Sequence, residues 1–213
     1  MEDLFSDDAS APSKPGSQPA ARRPGYSAAD IEVLEGLEPV RRRPGMYVGG
    51  TDETALHHLV AEVLDNAMDE AVAGHADRIE LHLGADGAVT VSDNGRGIPV
   101  DSHPRYPEKS ALEVILTTLH SGGKFKQGAY RTAGGLHGVG ISVVNALAAE
   151  CEVEVVRERR LWRQRFRRGT PVGALEDAGA IHNRRGTRLR FLPDPEIFKH
   201  GHRFRPERLH RMA

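Results

Sequence analysis

Residues 55–71, ALHHLVAEVLDNAMDEA, contain the strongest periodic pattern in the chain. Apolar side chains recur there at intervals of three and four residues, which is the spacing of one face of an α-helix. The positions on this face are Leu56, Leu59, Val60, Val63, Leu64, Ala67 and Ala71. The pattern predicts an amphipathic helix that packs on a core and ends near Gly74.

The opposite face of that helix carries polar groups at Glu62, Asn66 and Asp69, spaced i, i+4 and i+7. One interpretation is a solvated helix face. The other is a ligand site, because Asn is a poor residue for a helix interior and its presence requires compensation. An Asn oxygen beside a carboxylate can hold Mg²⁺ together with phosphates and water. Glu62, one turn away, would then be placed to take a proton from an attacking water.

The segment after this helix predicts a β-hairpin. Apolar residues alternate over 79–83 and again over 89–91, and Asp86-Gly87 supplies the turn. Asp93 shares the inward face of the second strand, where a carboxylate is costly unless it is hydrogen-bonded. The glycines of Asn94-Gly95-Arg96-Gly97 let the backbone approach a flat ligand. Asp93 is therefore either an acceptor at the floor of a pocket, suited to an exocyclic amine, or a simple turn cap.

Residues 122–140 hold seven glycines and end at a predicted apolar helix, from about Ile141 to Ala149. Glycines before a helix N-terminus present free N–H groups to phosphates. The pattern is not a Walker A loop, because Gly140 is followed by Ile141-Ser142 and not by Lys-Ser/Thr. Nor does it follow a predicted strand, as a dinucleotide fingerprint would.

The remaining elements fix the fold class. Residues 31–37 suggest a short helix, Ser110 and Glu113 form a capping box for a second one, and strand-like stretches occupy 153–156, 161–166 and 187–191. Helices and hairpins mix without a regular βαβ rhythm, which predicts a two-layer α/β (α+β) sandwich with a mixed β-sheet backed by helices. We expect residues 1–25, rich in Ser, Ala, Pro and Gly, to be a disordered tail.

Composition narrows the class of protein. The chain has 213 residues, a net charge of −1 and one cysteine, Cys151, which excludes an intramolecular disulfide. No stretch has the roughly 20 apolar residues of a membrane helix, and no secretory signal is visible. A reducing cytoplasm is the simplest compartment. Any contact with nucleic acid must be local or lie outside this chain, because the overall charge does not favour one.

Three motifs in order, 62–66, 93–97 and 134–140, resemble the nucleotide-binding motifs of the GHKL superfamily and its Bergerat ATP-binding fold. This superfamily includes gyrase-type topoisomerases, MutL repair proteins, heat-shock chaperones and histidine kinases. Flanking segments are similar to the B subunits of bacterial type II DNA topoisomerases over 26–213. Two shorter stretches look more like topoisomerase IV than gyrase. The segments are 32–47, 119–125 and 142–147, with 36–40 and 107–113 favouring topoisomerase IV.

The resemblance implies a role for each matching residue. Glu62 would be the general base, Asn66 the Mg²⁺ ligand, and Asp93 the acceptor of the adenine amine. Thr187 would assist Asp93; independently, it shares a strand face with Leu189 and Phe191 and should point inward. The residues that would line or close the pocket are His58 beside Glu62, Arg96 at the mouth, Gly97, Ile98, Pro99, the lid residues Lys124 and Tyr130, the arm residue Tyr26, and Gly134, Gly135, Leu136, His137, Gly138, Val139 and Gly140 around the phosphates.

The same resemblance implies ATP and Mg²⁺ as ligands, DNA and a topoisomerase IV (or gyrase) A subunit as partners, ATP-driven homodimerisation, and binding of ATP-competitive inhibitors. The terminal phosphate would also meet a lysine from a following domain, so this part alone is expected to bind ATP with little turnover. The alternatives are a gyrase B subunit, a chaperone-like or MutL-like ATP clamp, a phosphotransferase and a nucleotide-regulated binding module. His58 also fits an ordinary surface histidine.

An arginine-rich stretch is open to two interpretations. Arg157, Arg159, Arg163, Arg165 and Arg167 are all odd-numbered and flank a predicted hairpin, so several of them should share one strand face. They would form either a DNA-facing strip or a solvated sheet face partly balanced by acidic neighbours. The second interpretation is favoured, with Glu154 and Glu158 as the balancing acids.

Overall fold

The computed structural model describes residues 34–121, 139–199 and 203–213. The predicted tail, the arm residue Tyr26 and the segment 122–138 lie outside these residues. The helices are α1 (Glu38–Arg42), α2 (Gly45–Val48), α3 (Glu53–Val72), α4 (Ala111–Thr117), α5 (Gly140–Leu147) and α6 (Pro206–Met212). The strands are β1 (Ile79–Leu83), β2 (Val89–Asp93), β3 (Ser102–His103), β4 (Tyr106–Ser110), β5 (Ala148–Arg157), β6 (Arg160–Arg167), β7 (Thr170–Pro171), β8 (Glu176–Ala180) and β9 (Gly186–Pro193).

Seven of these strands form one sheet, in the order β1-β2-β9-β5-β6-β7, with β8 also paired to β6. Every pair within the described residues is antiparallel. The sheet is therefore antiparallel. Its strand order does not follow the chain, because β9 inserts between β2 and β5. Helices back the sheet, so the predicted two-layer sandwich is confirmed. No helix in the described part of the chain is long and apolar enough to cross a membrane.

The core lies between the sheet and helices α3, α4 and α5. Alternate residues of the central strands point into it, among them Val91, Val153 and Leu189, which are at most 2% exposed. The pairing of Val91 with Leu189 and of Leu189 with Val153 places all three on one face. Full burial of such side chains stabilises the fold by about 1.5–3 kcal/mol each. On this face, β2 and β9 pack against α3.

Helix α3 confirms the predicted long helix and begins two residues earlier. Asp52 caps its N-terminus, since its Oδ1 accepts a hydrogen bond from the Ala55 N–H at 2.9 Å. Helix α4 starts at the predicted cap, with the Glu113 N–H donating to Ser110 Oγ at 3.0 Å. The Glu113 carboxylate serves a different contact, because its Oε2 accepts from Gln164 Nε2 at 2.8 Å. This bond ties α4 to β6.

Some predicted elements differ from the structure. The helix expected at 31–37 is wrong where it can be compared, because residues 34–37 are not helical and α1 begins at Glu38. Pro39 is tolerated there because the first helical turn has no internal partner for its missing N–H. Helix α5 ends at Leu147 and β5 starts at Ala148. The hairpin β3–β4 and strand β8 have polar sequences that gave no strand signal.

A buried carboxylate joins helix α1 to the far end of β9. Asp194 is fully buried and forms ion pairs with Arg41 at 2.7 Å and with Arg168 at 3.0 Å. Arg41 also donates to the Ala146 carbonyl at 2.6 Å, at the end of α5. Removing one member of a buried network leaves uncompensated charge, so this cluster holds α1, α5 and β9 together.

The last residues return to helix α3. His57 is buried, and its Nδ1 lies 2.8 Å from the Glu53 carbonyl while its Nε2 accepts from the Arg205 N–H at 3.0 Å. A carbonyl can only accept, so Nδ1 donates to it and Nε2 is the acceptor. Phe204 packs edge-on against the ring at 5.6 Å. The segment before α6 is thereby fixed to the first half of α3.

Candidate functional site

The polar face of α3 is half-buried and does not behave as a simple solvated surface. Asp69 is 4% exposed, and Asn66 and Glu62 are intermediate in exposure. Glu70, one helical turn after Asn66, extends the same face. This distribution favours the ligand-site interpretation, because a solvated helix face would leave these groups open to water.

Glu62 lies between a histidine and the start of the next helix. Its Oε1 is 3.2 Å from His58 Nε2, one turn earlier on α3, as expected for the predicted pair. Its other oxygen points at Gly140, the first residue of α5. A Cβ at Gly140 would overlap Glu62 Oε2 and stand 3.0 Å from its Cδ. The glycine is therefore needed for this approach, and the N-terminal end of α5 offers a positive dipole to a negative group.

Asp93 lies at the end of β2 and is held by two backbone donors. Its Oδ1 accepts from the Gly95 N–H at 2.8 Å and from the Thr187 N–H at 3.4 Å. Among the described residues, no group donates a hydrogen bond to Oδ2. Burial raises the pKa of the Asp93 carboxyl, and the nearby Glu70 charge adds to this, while the two N–H donors act in the opposite direction. Asp93 is thus an oriented acceptor with an oxygen available to a ligand.

Thr187 faces inward as predicted and completes the cluster around Asp93. It is 8% exposed, and its Oγ1 accepts from the Ile98 N–H at 3.3 Å. Gly97 has a φ of 77°, and a Cβ there would come within 2.9 Å of Val155 Cγ1. The turn after Asp93 therefore rests directly on the sheet, which requires a residue without a side chain.

Two further residues lie at the mouth of this cluster: Glu70, which the sequence analysis did not single out, and Arg157, which it placed only in the arginine-rich stretch. Glu70 accepts from Arg96 in a fork, from Nε at 3.1 Å and from Nη2 at 2.7 Å, and also from the Arg96 N–H at 2.9 Å. Arg157 donates to the Gly97 carbonyl at 3.1 Å. Each had an available signal: Glu70 is four residues after Asn66 on one helix face, and Arg157 shares strand parity with Val155.

The predicted residues therefore fall into two groups. Asp93, Arg96, Gly97, Ile98 and Thr187 form one, and His58, Glu62 and Gly140 form the other. Asn66 lies on α3 one turn after Glu62 and one turn before Glu70; Pro99 is exposed beside Ile98, and Val139 directly precedes α5. Lys124, Tyr130, Gly134, Gly135, Leu136, His137 and Gly138 lie outside the described residues, as does Tyr26.

The arginines of the arginine-rich stretch lie on different faces of the sheet. Arg163, Arg165 and Arg167 lie on the outer face and pair with β5 carboxylates at 2.6, 2.7 and 3.6 Å. The partners are Glu154, Glu152 and Glu150. Arg157 points to the other face, and Arg159 lies in the β5–β6 turn. The balanced outer face agrees with the favoured interpretation, although only Glu154 of the two proposed acids takes part in these pairs.

Among the described residues, no group of three or more His, Cys, Asp or Glu side chains could hold a metal ion by itself. A cation at Asn66 would therefore need ligands from a bound molecule or water. Mg²⁺ commonly binds in this way, through one or two protein oxygens together with phosphates.

Comparisons with known proteins show which family the chain resembles. Residues 51–197 match the family model described as histidine kinase-, DNA gyrase B- and HSP90-like ATPase. The chain is 64% identical over 194 residues, 91% of its length, to the B subunit of DNA topoisomerase 4 from Caulobacter vibrioides. It is 58% identical over 179 residues, 84% of its length, to the B subunit of DNA gyrase from a Synechocystis species.

A solved structure is also similar. The 43K ATPase domain of Thermus thermophilus gyrase B, crystallised with an aminocoumarin, superposes with a TM-score of 0.72 at 48% identity. The match covers 82% of this chain and 43% of that one. The chain spans 28% of the Caulobacter relative and 16% of the Synechocystis relative, so it corresponds to one part of much longer proteins.

Proposed function

The chain belongs to the family of histidine kinase-, DNA gyrase B- and HSP90-like ATPases, and from this premise we propose that it is the ATP-binding and ATP-hydrolysing part of a bacterial type II DNA topoisomerase, in its B subunit. The whole enzyme would pass one DNA duplex through another, with decatenation and relaxation as the outcomes. Topoisomerase IV is favoured over gyrase because the relatives of that name match 88–91% of the chain at 57–64% identity, whereas the gyrase relative matches 84% at 58% identity. Gyrase, which would introduce negative supercoils, is the second candidate.

The observation that carries the proposal is the orientation of Asp93. Two N–H donors fix its Oδ1, which leaves Oδ2 to accept from the exocyclic amine of adenine. Gly97 and Ile98 bring flat backbone beside this acceptor, and Thr187 holds the Ile98 N–H in place. A purine with an amine fits this cluster better than one with a carbonyl at the same position, since a carbonyl would face the carboxylate with two acceptors.

We assign hydrolysis to the second group of residues. The Glu62 carboxylate would take the proton from water that attacks the terminal phosphorus, and His58, 3.2 Å away, would keep the carboxylate in its orientation. The N–H groups at Val139 and Gly140 begin α5, where negative charge on phosphate oxygens is favoured. Lys124 and the glycines within 134–138 would add a cation and further donors, and they lie outside the described residues.

Mg²⁺ would bind at Asn66, whose amide oxygen is the protein ligand that the helix face supplies. When bound, the ion would neutralise charge on the phosphates of ATP. Asn66 is half-buried on the same face as Glu62 and Glu70, which fits a neutral oxygen donor flanked by carboxylates. An ion shared between one amide oxygen and ATP needs no cluster of protein carboxylates.

We further propose the partners that such an enzyme requires. These are a topoisomerase A subunit, DNA, and a second copy of this chain joined on ATP binding, with Tyr26 on the exchanged arm. ATP-competitive inhibitors would bind at the Asp93 cluster, and an aminocoumarin is a suitable probe because the similar Thermus domain was crystallised with one. The cytoplasm is the compartment in which these partners occur.

Two measurements test the proposal. Calorimetry with a non-hydrolysable ATP analogue should show binding that is stronger with Mg²⁺, and Asn66→Ala should remove most of the Mg²⁺ dependence. A guanine analogue is the matched control and should bind far more weakly. The complete enzyme carrying this sequence, assembled with its A subunit, should unlink catenated DNA without introducing negative supercoils. Supercoiling would select gyrase, and no analogue binding would refute the ATPase assignment.

A further inference from the structure

Two loops meet at the end of the sheet beyond the Asp93 cluster. They are the β5–β6 turn at 158–159 and the β8–β9 loop at 181–185, and the Ile181 N–H donates to the Arg159 carbonyl at 2.9 Å. Arg159, Arg184 and Arg185 project from these loops and are all exposed. We refer to these three residues as the arginine ridge.

The arginine ridge borders two open cavities. A groove of about 810 Å³ runs over the outer face of the sheet and includes Ser92 and Glu154, while a cavity of about 420 Å³ lies on the side of Gly95 and Val156. All three ridge residues line both of them. The first cavity also includes Asp93 and Thr187, and the second includes Arg96, so the ridge borders the proposed adenine site. Neither cavity includes Glu62 or Gly140, so the ridge is separate from the groups assigned to hydrolysis.

Charge pairing sets the ridge apart from the other arginines of this surface. Five other arginines on the outer face each form an ion pair with a carboxylate. The pairs are Arg78 with Glu80, Arg163 and Arg188 with Glu154, Arg165 with Glu152, and Arg190 with Asp86. Within the described residues, none of the ridge arginines forms an ion pair. Arg185 donates to the His75 carbonyl at 3.2 Å, which does not neutralise its charge. Glu158 is the one carboxylate within the turn itself.

The turn that carries Arg159 is also unusual for its sequence. Glu158 and Arg159 have φ values of 53° and 60°, between the paired residues Arg157 and Arg160. A two-residue turn with both central residues in this region favours Asn and Gly. An arginine at the second position indicates that the side chain serves a purpose that the turn does not require.

We infer that the arginine ridge binds the phosphate backbone of double-stranded DNA. The inference rests on the proposed function for the choice of polyanion. Three exposed guanidinium groups without carboxylate partners repel one another, and each presents a planar set of donors that matches phosphate oxygens. An extended polyanion can contact all three along one open surface. The whole chain has a net charge of −1 and therefore no general attraction for DNA. The ridge supplies the local contact that such a chain needs.

The test is a salt titration of DNA binding by the whole chain. Fluorescence anisotropy would follow a labelled duplex of roughly 30 bp between about 50 and 200 mM salt, using wild type, a ridge variant and a control. The ridge variant combines Arg159→Gln, Arg184→Gln and Arg185→Gln. The control combines Arg43→Gln, Arg105→Gln and Arg211→Gln, three exposed arginines without ion pairs among the described residues, so the net charge changes equally. Thermal unfolding midpoints would verify that both variants fold.

The expected result is a loss specific to the ridge. In the ridge variant, the plot of log K against the logarithm of the salt concentration should become shallower by up to about 2.7, or about 0.9 for each phosphate contact removed. The control should keep a slope near that of wild type. Tripolyphosphate at the same phosphate concentration should compete poorly, since it cannot span the ridge as a duplex does.

Several outcomes would overturn the inference. They are no DNA binding by wild type at the lowest salt concentration, an equal loss in both variants, and equal competition by tripolyphosphate or by polyglutamate, which would indicate a small-anion or protein site. Binding of an ATP analogue by the wild-type chain is measured in the same samples. If that binding persists while the ridge result fails, the ATPase assignment stands and only the DNA contact is refuted.

Discussion

The substitution Asp93→Asn separates nucleotide recognition from folding. The amide oxygen can take the position of Oδ1 and keep the hydrogen bonds from the Gly95 and Thr187 N–H groups. The amide nitrogen then occupies the position of Oδ2, where an adenine amine would meet a second donor. Leaving one buried polar group mismatched costs about 1–3 kcal/mol, which corresponds to a roughly 5- to 140-fold increase in Kd for an ATP analogue.

The same substitution should not reduce stability at neutral pH. The pKa of the Asp93 carboxyl is raised in the folded protein, chiefly by burial. A raised carboxyl pKa means that the folded state binds the proton more tightly than the unfolded state does. Ionisation of Asp93 therefore opposes folding above the folded pKa, and this effect fades as the pH falls towards the ordinary value near 3.8. Asp93→Asn removes it, so any gain in stability should be greatest at neutral pH.

Calorimetric titration with the analogue and urea unfolding at about pH 7 and about pH 4 provide the assay. Asp77→Asn is the matched control, because Asp77 is exposed and contacts Asn94 of the same turn while lying outside the Asp93 cluster. An Asp93→Asn protein that folds normally and binds the analogue with wild-type affinity would refute the recognition argument. A variant that fails to fold would show that the carboxylate has a structural role that two retained hydrogen bonds do not explain.

Three further substitutions test other parts of the site and fold. Glu62→Ala in the complete enzyme should lower the steady-state ATPase rate by about 10²–10⁴-fold with analogue affinity retained; near-normal turnover would show that Glu62 is not the base. Gly186→Ala should cost about 2–5 kcal/mol in urea unfolding, because its φ is 106° and its Cβ would overlap the Asp93 carbonyl. Gly87→Ala, with a φ of 83° and open space, should cost only about 1 kcal/mol, and equal losses would contradict the contact. Asp194→Ala should cost about 3 kcal/mol, at the lower end for a broken buried network because its arginines reach water, and a change below about 1 kcal/mol in the same assay would contradict this.

The sequence alone determined the features that depend on near neighbours in the chain. The helix around Leu59 and Val63 follows from a spacing that only one backbone periodicity satisfies, and the cap at Ser110 follows from a residue type at a fixed offset. Strand parity was enough to point Thr187 inward with Leu189. The same kind of local pattern gave a wrong prediction at 31–37, where the apolar spacing fits a helix but residues 34–37 are not helical.

The tertiary structure decided which of these pieces meet. Asp93 and Thr187 are 94 residues apart and become neighbours only because β9 inserts beside β2. Glu70 meets Arg96 because α3 packs beside β2, whose end leads into the Arg96 turn. No spacing in the sequence predicts this pair. Such contacts depend on strand order and helix placement, which are set collectively by the burial of the shared core, whereas a sequence pattern reports only the preferences of each segment by itself.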